Sequence, residues 1–309
     1  MKRKIPVLIA SLILAMSVHG TSAYSKVPVP DHIVVVIFEN HDYEQIMGNS
    51  AAPYLNSLVN DPAAAIFTQS YALTHPSQPN YLMLFSGSDQ AVTNDRVPQN
   101  IPFTSPNLGA GLLQTGRTFA GYSEDLPSVG FDGKSSSGYA RKHNPWVNWQ
   151  GAVTNGIPET SNLPLRSFPG NYDLLPTVAF VIPNLDHDMH NGDDPERIHK
   201  GDAWLKERLD GYVKWAKSNN SLLIITFDEG DTRGGNFIKR ILRFFMDKNE
   251  EDDNEHNHIF TLFVGGMVKS GRYDQRIDHY RVLRTLEEIY ALPYAGHSAD
   301  TTAIRDVWK

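Results

Sequence analysis

The chain has 309 residues, of which 40% are hydrophobic and 20% charged, a composition typical of a globular protein rather than a disordered or fibrous one. Its formal net charge is −7, and an acidic protein gains nothing from a phosphate backbone, so a nucleic-acid-binding function is disfavoured. The absence of cysteine excludes disulfides, thiolate metal sites and cysteine nucleophiles.

The first 23 residues have the layout of a secretory signal peptide. A basic start, MKRK, precedes the apolar run IPVLIASLILAMSV and then small residues up to Ala23. The run is too short and wrongly flanked for a membrane anchor, although an uncleaved N-terminal anchor is the alternative. Cleavage would remove Lys2, Arg3 and Lys4 and no acid, which takes the formal charge from −7 to −10. The sequence therefore predicts a periplasmic or secreted protein without a stable membrane anchor.

Four continuous apolar runs indicate β-strands buried on both faces: HIVVVIF (32–38), TVAFVIP (177–183), SLLIITF (221–227) and HIFTLFVGG (258–266). Helices are predicted between and after these strands, at 52–59, 79–87, 197–219 and 279–292, the last with Asp278 as its N-cap. The alternation predicts an α/β fold, a three-layer sandwich with a mostly parallel central sheet. Because no internal repeat or long linker interrupts it, we expect residues 24–309 to form one domain.

Two regions lack this regularity. Residues 123–172 are rich in Gly, Ser, Pro and Asn, and we expect a long excursion above the sheet that carries substrate contacts. Its aromatic side chains, including Tyr139, Trp146 and Trp149, either line an apolar slot or simply pack. The acidic run DKNEEDDNEHNH (247–258) is interpreted as a solvated loop, because it lacks the glycine and the acid spacing of an EF-hand.

Polar side chains gather where the predicted strands stop. They are Glu39 and Asn40 after the first strand, His187, Asp188 and His190 after TVAFVIP, and Asp228 and Glu229 after SLLIITF. In open α/β sheets, ligands bind beyond the carboxyl ends of the strands. Any one of these groups could be a helix cap, but capping does not explain their coincidence. The pattern therefore predicts a single site at that edge.

The oxygen atoms of Glu39, Asn40, Asp228 and Glu229 would suit a hard divalent cation such as Mg²⁺, Ca²⁺ or Mn²⁺. Without a cation, three crowded carboxylates would repel one another, and some would have to stay protonated at neutral pH. Zinc is the alternative because histidines follow nearby, although the chain has no HExxH pair.

The segment THPSQPNY (74–81) places Ser77 just before the helix predicted from Pro79. Backbone N–H groups and the helix dipole at such a position favour an anion, although a plain turn would also explain the prolines. A serine hydroxyl needs a base or a metal to act as a nucleophile. No GxSxG elbow surrounds Ser77, which disfavours an α/β-hydrolase esterase.

These residues resemble a known family. ENHDYEQIMG, THPSQPNYLMLFSGS, HNPW, IPNLDHDMH, TFDEGD and DHYRVLRTLEEIY are similar to segments of the bacterial phosphoesterase family of acid phosphatases and phosphatidylcholine-type phospholipases C. That family belongs to the alkaline phosphatase superfamily. The resemblance runs in order from about residue 32 to about residue 292. It implies an alkaline-phosphatase-like fold and a metal-dependent enzyme that forms a phosphoserine intermediate.

The resemblance also implies roles for the residues at the strand ends. Glu39, Asn40 and Asp228 would be metal ligands, with Asn40 also facing the substrate phosphate. Ser77 would be the nucleophile and a further ligand. The acid-phosphatase branch carries an aspartate where this chain has Glu229, one methylene longer, which leaves the identity of the metal open.

Histidines of the family hold the phosphate and protonate the leaving group. His143 in HNPW and His190 in DMH match these positions, with Asp188 orienting nearby and His187 assigned to the substrate phosphate. Three other histidines are left open. His75 has either a supporting or a packing role, His258 points away from the site if its strand is parallel, and His279 is interpreted as a helix-end residue paired with Asp278.

The sequence thus predicts an exported, metal-dependent phosphoric ester hydrolase, an acid phosphatase that acts on small phosphomonoesters through phosphoserine. A phospholipase C-type phosphodiesterase is the first alternative, disfavoured because such relatives usually carry extra C-terminal domains and this chain ends after its last predicted helix. A sulfatase or phosphotransferase on the same scaffold, and a non-catalytic exported ligand-binding protein, are the others. The oligomeric state cannot be inferred from the sequence.

Overall fold

The computed structural model describes residues 27–231 and 257–309. The predicted signal peptide (1–23) and most of the acidic run (247–256) lie outside the described residues. Within the described ranges, none of the helices combines the length and the apolar character needed to cross a lipid bilayer.

The strands, in chain order, are β1 (His32–Phe38), β2 (Ala64–Phe67), β3 (Ser70–Tyr71), β4 (Phe119–Ser123), β5 (Ser135–Ser136), β6 (Tyr139–Ala140), β7 (Asn162–Pro164), β8 (Val178–Ile182), β9 (Ser221–Phe227), β10 (Thr261–Gly265), β11 (Gly271–Tyr273) and β12 (Ile277–Asp278). Eight of these described strands form the central sheet in the order β11-β2-β10-β9-β1-β8-β4-β7. β3 pairs with β12, and β5 with β6, in two small separate sheets.

The sheet is mostly parallel, as predicted. β1 lies at its centre between β8 and β9, with Val34 level with Ala179 on one side and Leu223 on the other. β10 is the exception, because it runs antiparallel to both β9 and β2. The predicted strand 258–266 is therefore shorter and reversed, and its first residues lie at the carboxyl end of β9, where Thr261 pairs with Thr226.

The helices are α1 (Tyr43–Ile46), α2 (Pro53–Val59), α3 (Ser77–Ser86), α4 (Leu108–Gln114), α5 (Glu196–Ala216) and α6 (His279–Ile289). They cover the two faces of the sheet. Ile33, Val35 and Ile37 of β1 pack in a cluster with apolar residues of α3, α4 and α6. The alternate residues Val34 and Val36 pack with α2 and α5. Successive strand side chains point to opposite faces, so this continuous apolar run produces the predicted three-layer sandwich.

Element boundaries follow local chemistry. β1 and β9 have the predicted bounds, and Asp278 caps α6 by accepting the Arg281 N–H at 2.9 Å, as expected of an N-cap aspartate. α3, in contrast, begins at Ser77 rather than at Pro79. Proline is tolerated in the first turn, where its missing N–H would have no intrahelical partner. The serine is thus the first residue of the helix.

The irregular region 123–172 is more ordered than predicted. It contains β5, β6 and the edge strand β7, joined by short 3₁₀ turns. Trp146 and Trp149 are fully buried, and the indole N–H of Trp146 donates to Asn162 Oδ1 at 3.0 Å. A Cβ on Gly121 of β4 would lie 2.0 Å from the Trp146 ring, so only glycine fits there. These aromatic residues pack against the sheet and do not line a slot.

Away from the sheet ends, Glu287 of α6 makes folding depend on pH. Burial raises the pKa of this carboxyl to about 7, although bonds from the Ser298 hydroxyl and the Ala295 N–H oppose the shift. Because the folded pKa exceeds the unfolded one, the stabilisation is complete below the unfolded pKa and is lost as pH rises through about 7. We expect Glu287→Gln to remove up to about 3 kcal/mol of pH-dependent stability.

Denaturant unfolding of wild type and Glu287→Gln at about pH 5 and about pH 8 measures this difference. The wild-type protein should lose more stability than the variant between the two pH values. An equal loss in both proteins would show that another group is responsible.

Candidate active site

Backbone hydrogen bonds bring the ends of β1, β8 and β9 together. The Asp228 N–H donates to the Phe38 carbonyl at 3.0 Å, and the Glu39 N–H donates to the Asp188 carbonyl at 2.8 Å. These bonds continue the ladder of the parallel sheet past its last strand residues. Glu39, Asp188 and Asp228, all buried, therefore meet at one edge, as their positions in the sequence predict.

Ser77 lies at the centre of this group. It is the first residue of α3 and is only 1% exposed. Its hydroxyl is 3.1 Å from Glu39 Oε2 and 3.1 Å from Glu229 Oε1. The structure thus brings together the predicted nucleophile and two of the predicted ligands. At the N-terminus of α3 the Gln78 N–H is taken by Asp95 Oδ1 at 3.0 Å and Pro79 has no N–H, so the Ser77 N–H is the backbone donor of the first turn left for an anion.

Asn40 joins β1 to the carboxylates that follow β9. Its N–H donates to Asp228 Oδ1 and its side-chain Nδ2 donates to Glu229 Oε1, both at 3.1 Å. Its φ of +44° lies in the left-handed region that few residues except glycine and asparagine adopt. Such a backbone persists only where the surroundings enforce it, and it occurs often at functional sites.

The expected repulsion among the carboxylates is found. Burial raises the pKa of Asp228 well above its ordinary value, and the neighbouring Glu39 and Glu229 raise it further. Burial also raises the pKa of Glu229, although the bond from His75 opposes the shift. Both shifts show that ionised carboxylates are disfavoured side by side here, a cost that a bound divalent cation would remove.

His143 reaches the site from the irregular region and lies between two acids. Its Nε2 is 3.1 Å from Glu39 Oε1 and its Nδ1 is 3.3 Å from Asp188 Oδ2, and the ring stacks on Tyr81. Burial alone would lower the pKa of His143, but the charge of Glu39 and the contact with Asp188 raise it to about 9. Burial likewise favours neutral Glu39, yet His143 lowers the pKa of Glu39 to about 2. The two form a buried ion pair.

The loop after β8 presents Asp188 and His190. The His190 N–H donates to Asp188 Oδ1 at 2.8 Å, across Met189, whose φ is +77°. The His190 ring lies 6.3 Å from the ring of His143 and is partly exposed, whereas His143 is 1% exposed. His190 is therefore nearer to solvent, and Asp188 connects the two histidines.

Three further histidines, His187, His75 and His279, lie in or near the site. His187 bonds Glu124 at 2.9 Å and stacks on Trp204. His75 Nδ1 lies 2.5 Å from Glu229 Oε2, which favours a supporting role over simple packing. Buried His279 is a helix-end residue, as predicted, but its Nε2 donates to the Asp228 carbonyl at 2.7 Å.

His258 illustrates the reversed strand. Because β10 is antiparallel, His258 lies on the side of the sheet edge that carries the site, and the prediction for a parallel strand does not apply. Its ring nitrogens are 3.0 Å from Glu44 Oε1 and 3.1 Å from the Thr68 carbonyl, and the ring stacks on Tyr43. These contacts are those of a packing residue.

Orphaned buried atoms test whether the site fits a metal ion. Asn40 Oδ1 and Asp228 Oδ2 are buried and have no hydrogen-bond partner among the described residues. Native proteins rarely leave buried acceptors unpaired, so these oxygens suit a cation that supplies the missing partner. Glu39, His143 and Asp188 also present ligand atoms within 4.8 Å of one another, and His143 Nε2 and Asp188 Oδ2 likewise have no hydrogen-bond partner among the described residues. Although burial opposes it, the charge of Glu39 raises the pKa of His143 to about 9, and a protonated imidazole does not bind a metal ion. The oxygen set around Ser77 is the better fit.

Sequence reasoning missed three residues at this site. Tyr81, one helical turn after Ser77, donates its hydroxyl to Glu39 Oε1 at 2.5 Å, and i,i+4 spacing on α3 could have revealed it. Buried His41 bonds the Glu39 carbonyl at 2.8 Å and Asp194 at 3.1 Å. Lys142 precedes His143, and its ammonium bonds Asp95 at 3.1 Å. For His41 and Lys142 the sequence contains no periodic signal.

The chain is similar to known proteins over most of its length. The profile of the phosphoesterase family matches residues 49–293. The phosphatidylinositol-3-phosphatase of Mycobacterium tuberculosis is 43% identical over 303 residues, which cover 97% of this chain and 90% of that protein. The probable acid phosphatase of Kluyveromyces lactis is 28% identical over 291 residues, which cover 88% of this chain but only 61% of that protein.

The fold also has solved counterparts. A protein in the alkaline phosphatase superfamily from Vibrio parahaemolyticus superimposes with a TM-score of 0.57. The match covers 92% of this chain and 72% of that one, at 14% sequence identity. At that identity the similarity concerns the arrangement of strands and helices.

Proposed function

This chain belongs to the phosphoesterase family, and from that membership we propose that it is a metal-dependent phosphomonoesterase whose nucleophile is Ser77. It is a phosphoric ester hydrolase with an α/β fold of the alkaline phosphatase superfamily. The observation that carries the proposal is the position of the Ser77 hydroxyl, at the tip of α3 and 3.1 Å from both Glu39 and Glu229.

Five residues would hold the metal: Glu39, Asn40, Ser77, Asp228 and Glu229. Their donor atoms are all oxygens, which favours Mg²⁺, Ca²⁺ or Mn²⁺, with Zn²⁺ as the alternative because histidines surround the set. When bound, a divalent ion supplies positive charge that favours the serine alkoxide and neutralises phosphoryl oxygens. The unpaired Asn40 Oδ1 and Asp228 Oδ2 support this assignment.

The protein's own residues provide the nucleophile and its surroundings. The Ser77 hydroxyl would pass its proton to the Glu229 carboxylate, whose Oε1 lies 3.1 Å away. The Ser77 oxygen then attacks phosphorus in line with the ester bond, a serine O–P bond forms, and the bond to the leaving alcohol breaks. The Ser77 N–H at the start of α3 and the Asn40 side chain would face the phosphoryl oxygens. Water then attacks the phosphoserine, releases inorganic phosphate and regenerates the hydroxyl.

The leaving alcohol needs a proton. His143 and His190 both match family histidines, but His143 is enclosed by Glu39 and Asp188, so its proton is held by the ion pair. We assign proton donation to His190, which is partly exposed, and assign to His143 the fixing of Glu39. His187, whose ring contacts Glu124 and Trp204, keeps its assignment to the substrate phosphate in this proposal.

The substrate class rests on relatives. The name of the Mycobacterium tuberculosis relative describes removal of a phosphate monoester from an inositol lipid, and the Kluyveromyces lactis relative is named an acid phosphatase. Both names favour monoesters over the diesters of a phospholipase C. A small phosphorylated molecule is the proposed substrate, with an inositol-lipid phosphate as the second candidate because of the 43% identity.

Export is a separate part of the proposal. The MKRK start and apolar run support cleavage after about residue 23 and a periplasmic or secreted location. N-terminal sequencing of the mature protein would test it. A retained Met1 would contradict cleavage.

The activity is tested with p-nitrophenyl phosphate and p-nitrophenyl phosphorylcholine, with and without chelator, between about pH 4 and about pH 9. We expect faster hydrolysis of the monoester and loss of activity in chelator, restored by a divalent ion. Preference for the diester would favour a phospholipase C-type enzyme. Hydrolysis of neither ester with any divalent ion would contradict the proposed function and favour a binding protein.

A further inference from the structure

Lys142 is a cation that Asp95 links to the start of the helix carrying Ser77, and the proposed chemistry leaves it unused. It lies in the 3₁₀ turn Arg141–His143, directly before the histidine that pairs with Glu39. His143 points into the core of the site, whereas the Lys142 ammonium lies 3.1 Å from Asp95 Oδ2 and its side chain is 18% exposed. The two adjacent residues therefore contact different acids: His143 contacts Glu39, and Lys142 contacts Asp95.

Asp95 ties this lysine to the helix that carries Ser77. The other Asp95 oxygen, Oδ1, accepts the N–H of Gln78 at 3.0 Å, and Gln78 immediately follows the nucleophile. The Gln78 side chain in turn donates to the carbonyls of Asn94 and Arg96, each at 2.7 Å. The ammonium is thus held at a defined place relative to the start of α3.

The acidic surroundings of Lys142 favour its charged form. Burial by itself would lower the pKa of this ammonium, but the carboxylates of Glu39, Asp95 and Asp228 outweigh burial and raise it. Two of these carboxylates belong to the group around Ser77. A cavity of about 140 Å³, lined by Gln78, Asp95 and Lys142 among others, opens beside the ammonium. Lysine has three donors, so a bond to Asp95 leaves others for a ligand.

We propose that Lys142 binds an anionic oxygen of the substrate phosphoryl group and thereby makes the site selective for phosphomonoesters over phosphodiesters. This inference rests on the proposed function. A monoester dianion carries one more negative charge than a diester, whose second oxygen is capped by an alkyl group. A fixed ammonium therefore stabilises the monoester dianion more than the diester monoanion. The alkyl group of the diester also removes one charged oxygen that could accept a hydrogen bond from the ammonium. Asp95 keeps the ammonium in place between turnovers.

The test compares kcat/KM of wild type and Lys142→Gln for p-nitrophenyl phosphate and p-nitrophenyl phosphorylcholine. Because a hydrogen bond to a charged group is involved, we expect a fall of about 30-fold for the monoester and of less than about 3-fold for the diester. The inhibition constant of inorganic phosphate should rise by about the same factor as kcat/KM for the monoester falls. Lys134→Gln, which removes an exposed lysine of the same cavity, should change none of these values by more than about 2-fold.

Equal losses for both esters, or no loss for either, would overturn the inference, because a lysine that only clamps Asp95 cannot distinguish the two substrates. Lys142→Arg keeps the charge and should retain more monoester activity than Lys142→Gln. Thermal unfolding of each variant identifies misfolded protein. Failure of the wild-type enzyme to hydrolyse either ester would instead refute the proposed function.

Discussion

Replacement of Ser77 by alanine is expected to lower kcat for p-nitrophenyl phosphate by at least about 10⁴-fold, because it removes the oxygen that we propose forms the covalent intermediate. The substitution removes one oxygen that lies between Glu39 and Glu229 and leaves the backbone of α3 intact. Initial rates at saturating substrate and metal measure the loss. Circular dichroism should show an unchanged helix and strand content.

Ser86→Ala is the matched control. Ser86 is also buried in α3, nine residues further on, and its hydroxyl bonds the carbonyls of Leu82 and Ser88. Its loss should cost about 1 kcal/mol of stability and leave kcat within about 3-fold of wild type. If Ser77→Ala retains the wild-type rate, or both variants lose activity equally, Ser77 is not the nucleophile.

Asp228→Asn is expected to have opposite effects on stability with and without metal. In metal-free protein the pKa of Asp228 is raised well above its ordinary value, first by burial. A raised folded pKa means that stability falls as pH rises through it, so the metal-free wild type should weaken towards alkaline pH. Asparagine cannot ionise, and the metal-free variant should be more stable than wild type at about pH 8.

With metal bound, the wild type should instead be more stable than Asp228→Asn. An ion present at about 1,000 times its dissociation constant stabilises the folded wild type by about 4 kcal/mol, and the variant should lose most of that gain together with at least about 100-fold in kcat. Thermal unfolding with and without chelator, at about pH 5 and about pH 8, measures both effects. Asp173→Asn serves as the control, because Asp173 is an exposed carboxylate that is not among the proposed metal ligands. A variant that gains as much stability from metal as wild type would exclude Asp228 as a ligand.

The parts of the fold that could be predicted are those in which one local signal decides. The uninterrupted apolar runs of β1 and β9 have their predicted limits because strands buried on both faces need apolar side chains at every position. The polar residue after each run, Glu39 or Asp228, is then placed by topology, since parallel strands end at one edge. For that reason these candidate metal ligands could be predicted from the sequence.

Other features depend on contacts distant in sequence. Nothing in the apolar run of β10 distinguishes an antiparallel from a parallel strand, so the position of His258 could not be derived. His143 and Lys142 lie in an irregular region without periodicity, and only tertiary packing brings them to Glu39 and Asp95. The family resemblance identified His143, whereas residue chemistry alone did not.

The reversed direction of β10 has a consequence for how this protein can change in length. The chain leaves β9 and enters β10 at the same edge, and the Gly230 N–H bonds Asn257 Oδ1 at 2.6 Å across the two ends. Residues added between 231 and 257 would not have to traverse the sheet, because both ends of this connection lie at the same edge. Asn257, before β10, also donates its Nδ2 to the carbonyl of Thr74 at 3.0 Å, three residues before Ser77. Evolution or engineering can therefore attach new recognition elements next to the reaction centre while strand pairing stays as it is.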